Sequence, residues 1–179
     1  MPSDRSLYRK VQEVLEIARS VEVSSLPELR QAIKAKRSHV FNTSQYDADR
    51  DAITSRVSLR VIHESVRMCH FLQLIGEDGT LSDAGRDALR KGRFESVVAQ
   101  STLEILKRSG VRVASLNQSI VTSLQSKPPV LPTASHLWKS SADGVTIRYG
   151  TFAKLLTLLS HCGAAEVSQK KVYLRIVAS

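Results

Sequence analysis

Aromatic residues are scarce in this chain, at 5% of 179 positions. That scarcity argues against single-strand nucleic-acid binders, which stack successive bases on aromatic platforms. There are only two cysteines, Cys69 and Cys162, too few for a disulfide scaffold. No apolar run approaches the roughly 18 to 20 residues that a membrane helix needs. The opening MPSDRSLYRK has no apolar signal core behind it. The expectation is a cytoplasmic protein with reduced thiols and no membrane contact. Catalytic signatures are missing as well: there is no G-x-S-x-G, no glycine-rich phosphate loop and no H-E-x-x-H. A non-enzymatic role without a cofactor is therefore expected.

Acidic residues are the second scarcity, and they are scarce in one half only. Residues 1–92 hold 15 basic and 13 acidic groups, whereas residues 93–179 hold 11 basic groups against Glu95, Glu104, Asp143 and Glu166. Most of the formal net charge of +9 thus lies in the second half. Local pairing cannot cancel that excess, so the second half should attract a polyanion. The apolar fraction, 42%, is enough to build cores.

Metal and nucleophile readings fare poorly. Cys69-His70 and His161-Cys162 contain ligand residue types, but adjacent helical residues point about 100° apart and no C-x-x-C pair exists. Cysteine on an apolar stripe normally fills core, so no metal site is expected. Asp47, Asp49 and Asp51 have the i, i+2, i+4 spacing of a calcium loop. Positions 52 and 58 are Ala and Ser, so the required glycine and bidentate glutamate are absent. These aspartates are expected to favour the positive end of a following helix. Trp138 is expected in a core or at a module interface.

The chain repeats itself. Leu15-Glu16-Ile17 superposes on Leu103-Glu104-Ile105, and a shift of 93 lays Leu59, Ile62, Val66 and Cys69 over Phe152, Leu155, Leu159 and Cys162. Two matches in the same order predict a duplicated unit of about 90 residues, with modules at 1–92 and 93–179. In the first, apolar spacing predicts a helix over 7–19, an edge strand at Val21–Val23, and a helix capped by Ser25 with Pro27 in its first turn. Residues 38–50 read as irregular. A third helix over 54–71, a small hairpin over 72–81, and a helix from Ser82 to Leu89 follow, with Gly92 as a stop. The second module repeats this plan: a helix over 94–108 ended by Gly110, a strand at 111–113, and a helix from Ser115 to about Leu124. The proline-rich loop 127–132, a short helix around Trp138, a helix over 149–161 and a closing hairpin over 164–176 complete it. The fold class expected is mainly α with small β-hairpin wings, an α+β arrangement.

That order of elements, together with FLQLIGEDGTLSDAGRDAL at 71–89, resembles the winged helix-turn-helix of bacterial regulators. The segment is similar to their hydrophobic strand, wing turn and L-[ST]-x-x-G-x-x-x-L helix start. The resemblance implies two winged-helix-like modules in tandem, double-stranded DNA as partner, and the third helix of each module in the major groove. In the first module this nominates Arg56, Ser58, Arg60, His63 and Arg67; in the second, Arg148, Tyr149, Thr151 and Lys154, with Lys170 and Lys171 on the wing. The first wing turn, Gly76-Glu77-Asp78-Gly79, would repel phosphates, and Ser168-Gln169-Lys170-Lys171 would attract them. The second module is thus the expected DNA contact. The first is left for a protein partner or homodimer. Tandem winged-helix proteins also serve as adapters, as kleisin-binding subunits do, which is the alternative.

Overall fold

The computed structural model describes residues 6–47, 52–111, 138, 146–164, 166–168 and 171–173. The chain divides into two compact units, Met1–Phe94 and Glu95–Ser179. The architecture is mainly helical with small antiparallel hairpins.

Unit 1 begins with α1 (Ser6–Ser20), which buries Val11, Val14, Leu15, Ile17 and Ala18 along one stripe. Ser25 then caps α2 (Leu26–Lys36), its hydroxyl accepting the Glu28 N–H, with Pro27 in the first turn. Between them Val21–Val23 forms no strand. The stretch read as irregular contains a 3-10 turn, His39–Phe41, and the first strand of a hairpin. Strands β1 (Asn42–Asp47) and β2 (Ala52–Val57) pair in antiparallel register, Thr43 opposite Arg56. Consequently α3 starts at Leu59 rather than near residue 54 and runs to Phe71. Its cap is Ser58, whose hydroxyl accepts the Val61 N–H; Asp47 ends β1 instead of leading into α3, while Asp49 and Asp51 lie outside the described residues. The Ser58 N–H donates to the Phe41 carbonyl at 3.0 Å, fixing the hairpin's end against the buried Phe41. Helices α1 and α2 both pack on α3.

After α3 the predicted hairpin is reduced to a single bridge, Ile75 with Leu81, around a turn whose Gly79 has φ +79°. Ser82 caps α4 (Asp83–Ala88), its hydroxyl accepting from Gly85 N–H and donating to the Gln73 carbonyl. Gly85 has a steric reason. A Cβ there would come within 2.0 Å of the Leu74 carbonyl oxygen, so the motif's glycine lets α4 lie directly on the Leu74 backbone. Tyr8 and Phe94 meet edge to face, ring centroids 4.8 Å apart.

Unit 2 holds α5 (Phe94–Arg108), α6 (Tyr149–His161) and the hairpin β3 (Glu166–Ser168) and β4 (Lys171–Tyr173), paired Val167 opposite Val172. The elements expected across 112–145, apart from Trp138 itself, lie outside the described residues. Gly110, at φ +87°, ends α5.

The burial pattern corrects the repeat. In α3 the buried positions are Ile62, Ser65, Val66, Met68 and Cys69; in α6 they are Phe152, Leu155, Leu156, Leu158 and Leu159. All five correspond at an offset of 90, not 93, which places Cys69 over Leu159 rather than Cys162. Both helices end alike: Leu74 N–H bonds to Cys69 C=O and Ala164 N–H to Leu159 C=O, each at 2.9 Å, and Gln73 and Gly163 both have positive φ. Similarly Val11, Val14, Leu15 and Ala18 fall over the buried Thr102, Ile105, Leu106 and Ser109 at an offset of 91. Leu15 therefore matches Leu106, not Leu103.

Candidate nucleic-acid interface

The start of α6 is assembled by three constraints. The Thr146 N–H donates to the Ser109 carbonyl at 2.9 Å, tying the segment that leads into α6 to the end of α5. The Arg148 backbone is extended (φ −78°, ψ 153°) and its carbonyl accepts from Thr151 and Phe152 N–H, both at 3.0 Å. The five buried apolar side chains of α6 then fix which way the helix faces. Trp138 packs on this face, 5.3 Å from the ring centre of Phe152 and 6.3 Å from that of Tyr149.

What remains outside is Arg148, Tyr149, Gly150 and Lys154, all exposed, with Thr151 half-buried. Tyr149 is 44% exposed, one of two large hydrophobic side chains left open to this degree among the described residues. A Cβ at Gly150 would touch nothing within 4 Å, so the surface there is open. No carboxylate occurs anywhere in α6. Arg148 occupies the N-cap without making a side-chain cap, and the amides of Tyr149 and Gly150 make no hydrogen bond to the described residues. The helix end thus combines uncapped N–H groups with a cation, an arrangement suited to phosphate oxygens.

Lys170 lies outside the described residues, and Lys171 opens β4 opposite Ser168. Sequence reasoning missed Lys107 and Arg108, exposed in the last turn of α5 just before the Ser109–Thr146 link. Arg108 stands 3.9 Å from Glu104. Their signal was the Lys-Arg pair directly ahead of Ser109-Gly110.

Unit 1 presents a weaker surface. Arg56 belongs to β2 and not to the start of α3, which corrects its expected place on a recognition helix. Ser58 is occupied as a cap. Along α3, Leu59, Arg60, His63, Glu64 and Arg67 are exposed, and Arg60 pairs with Glu64 at 3.1 Å. In the turn beyond α3, Asp78 accepts bonds from the Thr80 N–H and hydroxyl, which hold its carboxyl below the ordinary 3.8. The acidic turn therefore keeps its charge.

The thiols are inert. Cys69 is buried and its sulfur contacts the Val11 carbonyl at 3.9 Å; burial pushes its pKa far up. Cys162 is pushed up to about 12 by burial and by the Glu95 carboxylate. Among the described residues no three His, Cys, Asp or Glu side chains gather as metal ligands, and no helix is long and apolar enough to cross a membrane.

No family model, curated protein or solved structure matches this chain.

Proposed function

We propose that the chain is a non-enzymatic double-stranded DNA-binding protein built from two winged-helix-like units, acting as a transcription regulator or as the DNA-recognition subunit of a larger complex. The observation that carries this reading is the outer face of α6. It is free of carboxylates and headed by Arg148, Tyr149 and Lys154, while its opposite face is committed to the core. Arginine at the start of a groove-fitting helix can read guanine bidentately, and the uncapped amides can hold a phosphate. Lys171, at the start of β4, and Lys170 before it in sequence would add sequence-independent phosphate contacts. On this reading Trp138 braces Tyr149 from behind rather than stacking on a base.

The test is a salt titration of binding to labelled duplex DNA. Affinity should fall steeply with salt, and reversing Lys170 and Lys171 to glutamate should weaken binding to all sequences and lower the log–log slope by about two. An unaltered slope and affinity in that double variant would remove the C-terminal wing from the mechanism. The adapter reading draws support from unit 1, where Asp78 keeps an acidic turn ionised and Arg60 is met by Glu64.

A further inference from the structure

Unit 1 contains a groove of about 560 Å³ between the end of α1, the segment after it, Thr80–Leu81 and the end of α4. Its floor is apolar, from Ala18, Leu81 and the half-buried Leu89. One wall is Val21–Val23, which belongs to no helix or strand. The other wall is the Thr80–Leu81 edge.

The ladder geometry shows which backbone groups face it. Gly76 N–H bonds to Thr80 C=O and Ser82 N–H to Leu74 C=O, flanking the Ile75–Leu81 bridge. Leu81 is thus in a non-hydrogen-bonded pair, and its own N–H and C=O point away from Ile75. The carbonyl is met by the Arg86 guanidinium, while the N–H has no partner among the described residues. The Leu81 N–H is thus a donor that an added extended segment can meet.

Charge selects the occupant. Arg19, Arg86 and Arg90 line the groove against the single carboxylate Glu22. Arg19 makes no ion pair among the described residues; Arg86 and Arg90 pair with Asp83 and Asp87 with side chains 60% and 77% exposed. Exposed pairs of that kind are weak and yield to a better-placed carboxylate. A nucleic acid fits badly, because its neighbouring phosphates would lie over Glu77 and Asp78, next to Thr80. We propose that this groove binds an extended, acidic peptide segment of a partner protein, whose backbone accepts from Leu81 N–H and runs along Val21–Val23 while its carboxylates meet Arg19 and Arg90. This site is independent of DNA binding by unit 2.

The test uses the full chain, isotope-labelled, with a short capped peptide alternating valine and glutamate as probe. Amide resonances of Val21, Val23 and Leu81 should shift, and exchange of the Leu81 amide should slow. A peptide alternating valine and lysine should bind at least about tenfold more weakly, as should the probe to Arg19→Glu/Arg90→Glu protein with an otherwise unchanged spectrum. N-methylation of alternate amides in the probe should abolish binding without altering the protein. The proposal is overturned by absence of shifts at millimolar probe, by equal binding of the lysine peptide or the N-methylated probe, or by duplex DNA displacing the probe from these residues.

Discussion

Arg148 offers the sharpest perturbation, because its backbone and side chain make opposite demands. The corresponding residue in unit 1 is Ser58, 90 positions earlier, whose hydroxyl caps α3 by accepting the Val61 N–H at 3.4 Å. Arg148 provides no such acceptor and puts a cation at the positive end of α6. Installing a serine N-cap is worth about 1 kcal/mol, and removing the cation from the helix start adds roughly 0.3–1 kcal/mol. Arg148→Ser should therefore stabilise unit 2 by about 1–2 kcal/mol, which for a domain of this size raises its melting temperature by roughly 4–16 °C. On DNA the sign reverses. Loss of a phosphate contact lowers the salt slope by about one, and loss of a bidentate guanine contact costs about 1–3 kcal/mol, roughly 5- to 150-fold in affinity. Circular dichroism on heating and anisotropy with labelled duplex, measured on the same preparation, check both halves. A more stable variant that binds DNA with undiminished affinity and slope would refute a role for Arg148 in contact. A variant no more stable than the parent would refute the cap argument.

Gly85→Ala should destabilise unit 1 by about 2 kcal/mol, since a methyl 2.0 Å from the Leu74 oxygen forces α4 off its seat. Gly150→Ala, with nothing within 4 Å, should be neutral or stabilising by up to about 1 kcal/mol; denaturant midpoints compare the two. The depressed pKa of Asp78 contributes stability that is complete above the ordinary 3.8 and fades as pH falls through the lower folded value. Asp78→Asn should thus lower the denaturant midpoint at neutral pH and lose that difference in acid. Cys162 carries the opposite sign: its stabilisation is complete below the ordinary 9.0 and is lost as pH rises toward about 12. Both thiols should alkylate far more slowly in the native protein than after unfolding, with mass spectrometry as the readout; rapid native alkylation of Cys69 would contradict its burial.

Helices were the legible part of this fold. The spans 94–108 and 149–161 are where apolar spacing puts them, and Ser25 and Ser82 cap as their positions predict. The β1–β2 hairpin was not legible, because NTSQYD and AITSRV carry too little apolar alternation to distinguish a strand from a polar loop. The start of α3 was misread for a related reason. Ile53, Val57 and Val61 stand at i, i+4 spacing, which imitates a helix face across the strand and hid the Ser58 cap. The misplacement of Arg56 followed from that. Val21–Val23 alternates as a strand should, yet it pairs with no strand among the described residues; sequence records the propensity of one strand and not the presence of its partner. At the candidate interface, Arg148, Tyr149, Thr151 and Lys154 lie on one helix as the spacing implied, whereas the Ser109–Thr146 bond that ties this helix to the end of α5 is a contact that spacing does not encode.

The repeat was visible but out of register, and the reason bears on function. A slip of three residues turns a helix by about 60°, so an apolar stripe wider than about 100° still overlaps its counterpart. Offsets of 88 and 93 therefore imitate the offsets of 91 and 90 that burial selects. Leu59 exposes the error, since it is 58% exposed and cannot match the fully buried Phe152. In the corrected register Leu59 falls on Tyr149, so both open hydrophobic side chains occupy the first position of corresponding helices. The residue before them differs: the cap Ser58 in one unit, the uncapped Arg148 in the other. One turn later Ile62 and Phe152 are both core, so the two scaffolds agree where burial decides and diverge where charge decides. A neutral cap in residues 1–92, with 15 basic and 13 acidic groups, and a cation in residues 93–179, with 11 and four, is the pattern expected if only the second helix start meets phosphate. A cap surrendered at Arg148 is a local loss of stability that the core of α6 does not require, which is why the exchange of Arg148 for serine separates the demands of folding from those of binding.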